Sequence, residues 1–296
     1  MIRIKQSAAV LAAQSKGLVA LESTLISHGL PYPDNIAVAE AAEAAVRQSG
    51  ATPATMAVMD GCAHIGLEAE EIHRLATTDN VKKLSRRDLP IALSGYGNAL
   101  GATTVSATMI LAQQAGIPIF ATGGIGGVHR GVNDSMDVSA DLFELAQTNV
   151  AVVCSGPKVI LDLPRTREYL ETMGVTVVGY QTDMMPAFWA RSSGLPVDIA
   201  VDTPDAIAAI MRQRTALGIG GAVLICNPVA ADVAIDIDVI EGWIDSCIED
   251  APHGAAATPW LLAEIARRSE GRSLEANKRL IIDNAALAGK IAMALA

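Results

Sequence analysis

Residues 120–141, FATGGIGGVHRGVNDSMDVSAD, contain most of the residue types in the chain that can do chemistry. Four glycines follow an apolar run, and an arginine, a histidine and three acidic residues come after them. A glycine-rich turn after a strand lets the backbone approach a ligand and can point several N–H groups at an anion. Arg130 adds a planar cation that suits phosphate, and Asp137, Ser139 and Asp141 offer the hard oxygens that Mg²⁺ or Mn²⁺ prefers. The stretch predicts a phosphate site beside a metal site.

The glycine spacing argues against two common nucleotide motifs. Aligned on Gly124, a dinucleotide fingerprint needs a glycine at position 129, where His129 stands, and no G-K-[ST] follows as it does in a P-loop. The glycines alone favour a turn that only reverses the chain. His129, Arg130 and the nearby acidic residues favour a binding site instead.

Other candidates stand where predicted strands end. Glu22 closes VALE and is either a general acid, if burial raises its pKa, or a turn cap. Lys83 opens KLSRRD and is either a site cation or part of a solvated charge run. Lys158 follows AVVC in SGPK, where a dry pocket would favour a neutral amine that attacks carbonyls; an ordinary helix-start lysine is the alternative. Asn284, in the last predicted helix, either faces the site or fills a packing gap.

Two further polar residues have an open assignment. Asn227 follows another apolar run and is a candidate for the pocket wall, while His28 fits either pocket or core. His64, His73 and His253 lack metal-ligand spacing and are predicted to be structural or exposed.

The composition limits the partners that the chain can have. With 296 residues, 51% of them hydrophobic, it can bury a large core. A net charge of −10 argues against general binding of nucleic acid or anionic membranes, although a local basic pocket can still take a small phosphorylated ligand. Four widely spaced cysteines, no secretory signal and no run of about 18 apolar residues predict a cytoplasmic protein with buried thiols and no membrane span.

Apolar runs alternate with alanine-rich helical stretches along the whole chain. This pattern predicts a single α/β domain over residues 1–296, with a largely parallel sheet covered on both faces and ligands at the carboxyl ends of its strands. We expect segment 183–202 to be a lid or an edge excursion. The predicted strands are 18–21, 55–59, 91–93, 117–120, 150–154, 175–180 and 221–226. The predicted helices are 36–49, 68–76, 104–115, 139–147, 165–173, 205–217, 235–249, 258–269 and 276–295.

Many long motifs occur in one order, and together they resemble the pseudouridine-5′-phosphate glycosidase family, also called indigoidine-synthase-A-like. The matching motifs are ALESTLISHGLPYPDN, KLSRRDLP, GATTVSATM, FATGGIGGVHRG, DVSADL, VVCSGPK, EYLETMGV, GYQT, TPWLLAEIA and NAALAGKIA. The resemblance implies a three-layer α/β/α fold, a Mn²⁺ ion and a homotrimer. It also implies a lyase-type glycosidase that cleaves the C–C bond of pseudouridine 5′-phosphate, giving ribose 5-phosphate and uracil in nucleotide catabolism.

The resemblance also assigns roles to individual residues. Glu22 matches the proton donor, Lys158 the covalent nucleophile and Asp137 the metal ligand. The matched substrate contacts are Lys83, Val105, Ser139, Ala140 and Asp141. His129, Arg130, Asn284 and the glycine amides are additional candidates for contacts to the substrate.

These residue types suit cleavage of a C–C glycosidic bond. Such a bond has no leaving oxygen to protonate, so a pair of carboxylates does not suffice. An iminium formed between C1′ and the Lys158 amine can accept the electrons, and Glu22 can handle the proton at uracil C5. Two alternatives remain: a dinucleotide oxidoreductase, which the glycine spacing opposes, and a non-catalytic phosphosugar sensor, which leaves Glu22 and Lys158 unexplained.

Overall fold

Eleven strands and twelve α-helices are present in the computed structural model, which describes residues 2–13, 16–96, 100–252 and 257–296. The strands are β1 (Ile4–Gln6), β2 (Leu18–Leu21), β3 (Thr52–Met59), β4 (Cys62–Ile65), β5 (Lys82–Leu84), β6 (Gly101–Thr103), β7 (Ile119–Ala121), β8 (Ala151–Cys154), β9 (Thr176–Tyr180), β10 (Ile199–Val201) and β11 (Val223–Cys226). The helices are α1 (Ala8–Ala13), α2 (Asp34–Gln48), α3 (Ala69–Thr77), α4 (Leu89–Leu93), α5 (Val105–Gln114), α6 (Val132–Ser135), α7 (Ala140–Leu145), α8 (Leu163–Thr172), α9 (Pro204–Ala216), α10 (Ile237–Asp245), α11 (Ala257–Arg268) and α12 (Arg272–Leu295).

A parallel sheet in the order β3-β2-β7-β8-β11-β9-β10 confirms the predicted α/β class. Its central strands are short apolar runs because helices cover both faces. One row of paired residues crosses six of these strands, and every member of the row is fully buried. In strand order the row is Ala54, Ala20, Phe120, Val152, Leu224 and Val177.

Alternate residues of each central strand enter two different cores, which gives three layers. On β8, Val153 packs into the core beneath α2, α9, α10, α11 and α12, whereas Val152 packs into the core beneath α1, α4, α5, α7 and α8. The long helix α12 packs closely on α2. Gly289 permits this approach, because a Cβ there would lie 2.7 Å from the Cβ of Ser49.

The long strand β3 joins this sheet to a smaller mixed one. Its first half pairs with β2, while its second half pairs antiparallel with β4 and with β6. Parallel partners then extend both sides, β1 beside β4 and β5 beside β6. The sequence interpretation contained none of these four strands, nor the edge strand β10.

One predicted element was wrong in type. Residues 91–93 were expected to be a strand, but they belong to helix α4. Three apolar residues are too few to distinguish the two periods, and Pro90 in the first turn favours a helix start. Segment 183–202 ends as the edge strand β10 beside β9, as the edge-excursion alternative expected.

Two findings concern the environment of the chain. No described helix has both the length and the apolarity required to cross a bilayer. Cys154, Cys226 and Cys247 are buried free thiols, and Cys62 is partly buried.

Candidate active site

Polar residues follow the central strands at the carboxyl edge of the parallel sheet. Glu22 comes directly after β2, Thr122 after β7, Ser155 after β8 and Asn227 after β11. Because β2, β7, β8 and β11 are successive neighbours in the sheet, these residues converge on one region.

The Glu22 carboxyl group is buried in this region, with 8% of the residue exposed. Thr24 donates a hydrogen bond to one carboxylate oxygen and Thr122 donates to the other. Burial raises the pKa of Glu22 above its ordinary value, and the Asp141 carboxylate adds to that rise. The Lys158 charge and the two threonine hydroxyls act in the opposite direction. The group therefore holds a proton to higher pH than an ordinary glutamate, as a general acid requires.

Lys158 reaches the same loop as Glu22. Its amine donates to the carbonyl of Gly124 at 2.9 Å, and its backbone N–H donates to the carbonyl of Ile125 at 3.1 Å. Thr122 and Gly124 are two residues apart, so one short segment after β7 contacts both the acid and the amine. The influence of Lys158 on the Glu22 pKa agrees with a shared pocket.

Lys83 comes to the site from β5, in the smaller sheet. The side chain is exposed as a whole, but the surroundings of its amine lower its pKa, through partial desolvation and through the positive charge of Lys158. Asp141 and Glu22 oppose this shift. Since solvent reaches the side chain, these charge effects are screened. Lys83 thus adds a second cation beside the acid and the amine.

Asp141 ties two helices to the glycine-rich loop. Its carboxylate accepts from the N–H of Ser106 at 3.0 Å and from the N–H of Gly126 at 2.9 Å. Ser139 caps α7, its hydroxyl accepting from the N–H of Asp141 at 3.2 Å, and Ala140 is the first helical residue. Val105 begins α5 and is buried. The predicted substrate-binding run therefore lies where α5, α7 and the loop meet.

The four glycines of GGIGG are not required by an unusual backbone conformation. None of them has a positive φ. Instead each admits a close neighbour: a Cβ on Gly126 would lie 2.2 Å from the Ser139 hydroxyl, and one on Gly127 would lie 2.4 Å from the Thr166 hydroxyl. The amides of Ile125 and Gly126 already donate to Gly156 and Asp141. Close packing explains why glycine stands at these positions, and the two amides already bonded within the protein are not free to bind phosphate.

Arg130 and His129 occupy the next part of the loop. The Arg130 guanidinium donates to Glu241 on α10 at 2.8 Å and to the carbonyl of Val159 at 3.3 Å. This ion pair competes with the predicted role in phosphate binding. His129 lies beside Asp137, with 3.9 Å between Nδ1 and the nearer carboxylate oxygen, and its backbone N–H donates to the Asp137 carbonyl.

A metal ion would depend on very few protein ligands. Within residues 2–13, 16–96, 100–252 and 257–296, no three His, Cys, Asp or Glu side chains gather as a metal-binding group. Asp137 has 33% of its side chain exposed, and no described residue donates a hydrogen bond to its carboxylate. One accessible carboxylate fits a hydrated hard ion that takes its other ligands from water or substrate.

Asn284 is fully buried beneath the site. Its amide donates to the Thr122 carbonyl at 2.9 Å and to the Ser155 hydroxyl at 3.2 Å, and its carbonyl oxygen accepts from Asn227 at 3.0 Å. These bonds fix the ends of β7, β8 and β11 relative to one another. Both predicted alternatives for Asn284 are thus partly met: it borders the site and satisfies polar groups in the core.

The sequence interpretation missed two hydroxyl partners of Glu22. Thr122 stands between an apolar strand and GGIGG, and Thr24 is two residues beyond Glu22, so each has a positional signal that could have found it. His28 lies exposed on a single turn of π-helix, Leu25–Gly29, that follows Glu22. His64 is half-buried and pairs with Glu71, His73 is exposed on α3, and His253 lies outside the described residues.

The chain is similar to known proteins over almost all of its length. Residues 7–294 match the sequence profile of the indigoidine synthase A like protein family. A pseudouridine-5′-phosphate glycosidase from Petrotoga mobilis is 48% identical, over 98% of this chain and 96% of that protein. One from Methylobacterium nodulans is 53% identical, over 94% of this chain and 83% of that protein.

Two solved structures share the fold. The indigoidine synthase A-like protein from Thermotoga maritima superposes with a TM-score of 0.92 at 32% identity, covering 99% of this chain and 96% of the other. The prealnumycin C-glycosynthase AlnA, solved in complex with ribulose 5-phosphate, superposes with a TM-score of 0.91 at 37% identity, covering 99% and 97%.

Proposed function

The chain belongs to the indigoidine synthase A-like family, and on that premise we propose that it reversibly cleaves the C–C glycosidic bond of pseudouridine 5′-phosphate. The products are ribose 5-phosphate and uracil. Relatives of about 50% identity carry the name of this glycosidase, and AlnA is a C-glycosynthase that binds a five-carbon sugar phosphate. The alternative of a dinucleotide oxidoreductase has no support in these relatives.

One observation carries the proposal for this chain. A buried carboxyl group with a raised pKa and a lysine amine contact the same loop two residues apart, at Thr122 and Gly124. A buried acid and a nearby amine are what iminium chemistry needs.

The reaction then proceeds in balanced steps. The Lys158 nitrogen attacks C1′, and the ring oxygen leaves as a hydroxyl with the proton that the nitrogen loses. Glu22 donates its proton to uracil C5. The C1′–C5 bond breaks, its electrons restore the double bond of uracil, and the nitrogen lone pair forms the iminium at C1′. Water adds to the iminium, releasing the aldehyde sugar and the free amine, and Glu22 regains its proton.

The remaining residues bind and orient the substrate. Lys83 lies on β5 of the smaller sheet, and it is our candidate for the phosphate contact because Lys158, Asp141 and Glu22 are near enough to influence its pKa. Asp141 and Asn284 hold the loop and strand ends that carry the acid and the amine. Mn²⁺ held at Asp137 would supply positive charge for phosphate or hydroxyl groups. We further propose that the protein works as a homotrimer in the cytoplasm, as the family resemblance implies.

The test is synthesis in the reverse direction. Purified protein incubated with uracil, ribose 5-phosphate and Mn²⁺ should yield pseudouridine 5′-phosphate. The product is detected by chromatography and mass spectrometry. Absence of product, with ribose 5-phosphate still binding, would favour a sugar-phosphate sensor.

The covalent role has a separate test. Ribose 5-phosphate and borohydride should leave a reduced adduct on Lys158 in a peptide map. Lys158→Arg keeps the charge and should give no adduct and no turnover. An adduct on Lys83 instead would reject the assignment of the nucleophile.

A further inference from the structure

Segment 183–198 makes a tight turn over the carboxyl edge of the sheet before it forms the edge strand. Ala187 and Ala190 exchange backbone hydrogen bonds of 2.9 and 3.0 Å, so that Phe188 and Trp189 form a two-residue turn. The φ angle of Phe188 is +58°, whereas that of Trp189 is not positive. This is the first central position of a type II′-like turn, where glycine is the usual residue. A bulky side chain there is strained and persists only when its surroundings hold it.

Phe188 is surrounded by the residues that directly follow β7 and β8. Its backbone N–H donates to the carbonyl of Ser155 at 2.7 Å, and 2% of the residue is exposed. The ring lies against Gly124, because a Cβ added there would be 2.7 Å from Cδ2 and 3.0 Å from Cε2 of the ring. The Gly156 carbonyl oxygen lies 2.9 Å from the same Cβ position. Gly124 is thus enclosed between an aromatic ring and the backbone after β8.

The carbonyl of Gly124 is also the acceptor for the Lys158 amine. A neutral amine that donates to this oxygen directs its lone pair away from it, so the position of the carbonyl sets the direction of attack. Any movement of Gly124 therefore moves the nucleophile, and the ring of Phe188 is a side chain that limits this movement.

We propose that Phe188 is a positioning residue for the covalent step: its strained turn presses the ring on Gly124, whose carbonyl aims the Lys158 amine at C1′. The proposal rests on the proposed function, because it requires Lys158 to be the nucleophile. Phe188 contacts the loop and acts through it.

The experiment compares Phe188→Ala with Phe188→Leu. Both keep a Cβ and so keep the same backbone strain, but only leucine has a δ-carbon at the level of Cδ2, the ring atom nearest Gly124. Phe188→Ala should slow formation of the borohydride-trapped adduct and lower kcat by about tenfold or more, since small misplacements are costly in catalysis. KM should change by less than about threefold, because the substrate contacts stay in place. Phe188→Leu should recover most of both rates.

Two controls separate positioning from loss of stability. Ile207→Ala removes a fully buried side chain on α9 and should lower the melting temperature without slowing adduct formation. Phe188→Gly removes the strain of the positive φ together with the ring, and the borohydride-trapped adduct should still form slowly in this variant.

The outcomes are distinguishable. An adduct in the wild-type protein that forms at the same rate in Phe188→Ala would overturn this inference and leave the proposed function intact. A loss of kcat without slower trapping would also overturn it. A wild-type protein that forms no adduct on Lys158 would overturn both proposals together.

Discussion

At the scale of single residues, the burial of Glu22 links activity to stability. The raised pKa means that the folded state binds this proton more tightly than the unfolded chain does. Its contribution to stability is therefore present below the ordinary pKa of 4.5 and is lost as the pH rises through the higher pKa of the folded state. At neutral pH the buried carboxyl group therefore destabilises the folded state, which is consistent with the catalytic role proposed for it.

Glu22→Gln should fold and lose turnover by about 10²–10⁴-fold, the range that a positioned acid contributes. Relative to wild type, Glu22→Gln should become more stable as the pH increases from the ordinary pKa of 4.5 to about 8, because glutamine does not titrate. Urea titrations across this range measure the difference. Near-normal turnover would reject Glu22 as the acid.

Thr122 also influences the pKa of Glu22. Because its hydroxyl lowers the Glu22 pKa, Thr122→Val should raise that pKa and move the alkaline limb of kcat/KM to higher pH. Turnover at the optimum should fall about tenfold as the carboxyl group loses orientation. Thr122→Ser keeps the donor and should keep the limb in place. The measurement is kcat/KM against pH for both variants. An alkaline limb of Thr122→Val that coincides with that of wild type would contradict the prediction.

Asp137 offers the accessible carboxylate for the proposed ion. Asp137→Ala should abolish activation by Mn²⁺ while leaving the fold and the Lys158 adduct site unchanged. Asp134→Ala, three residues earlier and more exposed than Asp137, is the control, and its Mn²⁺ titration should resemble that of wild type. An unchanged Mn²⁺ titration in Asp137→Ala would place the ion elsewhere.

At the scale of elements, the glycine-rich loop is the junction of the site. Gly126→Ala would place a Cβ 2.2 Å from the Ser139 hydroxyl and 2.8 Å from an Asp141 oxygen. We expect a loss of about 1–3 kcal/mol in unfolding free energy, as for other overpacked sites. Turnover should fall by more than the loss of stability accounts for, because the added Cβ would displace the Asp141 carboxylate that holds the loop.

Gly242→Ala is the control for that prediction. Gly242 lies on α10 and has open space around it, since a Cβ added there would meet nothing within 4 Å. Alanine should therefore stabilise the helix by about 0.5–1 kcal/mol. Thermal and urea unfolding of the two variants should shift in opposite directions. Equal stability for both would contradict the packing explanation of GGIGG.

The element pattern could be predicted where the signal was long and periodic. The apolar runs that became β2, β8 and β11 and the small-residue helix α2 were recognisable because burial fixes their composition. The hairpin between β3 and β4 also had a signal, since Asp60 and Gly61, both with positive φ, form a two-residue turn of the Asp-Gly type. The three-residue strands β1, β5, β6 and β10 have no such sequence signal, because pairing with a neighbouring strand determines where they form.

At the scale of the whole molecule, contacts between distant residues could not be predicted. Glu241 pairs with Arg130 across 111 residues, and Asn284 reaches the Thr122 carbonyl across 162. The types of the candidate residues suggested their chemistry, but only the fold shows that Arg130 already has an acidic partner. Glu22 and Lys158 were candidates because each closely follows a strong strand signal, but the family resemblance assigned their roles.

The homotrimer is the prediction at this scale that calls for a direct measurement. Sedimentation equilibrium should give three times the chain mass of 30.7 kDa, independent of protein concentration over the micromolar range. Adding Mn²⁺ should leave this mass unchanged. A mass of a single chain would contradict the trimer.

The division of β3 between two sheets has a consequence for redesign. Its first four residues are bonded to the strand that precedes the acid, whereas Ala57 and Val58 pair with β6, which in turn supports the strand that presents Lys83. The proposed phosphate contact and the proposed acid are thus connected to separate halves of one strand. If Lys83 binds the phosphate as proposed, changes around β5 and β6 should alter the preferred length of the sugar phosphate while leaving Glu22 and Lys158 in place.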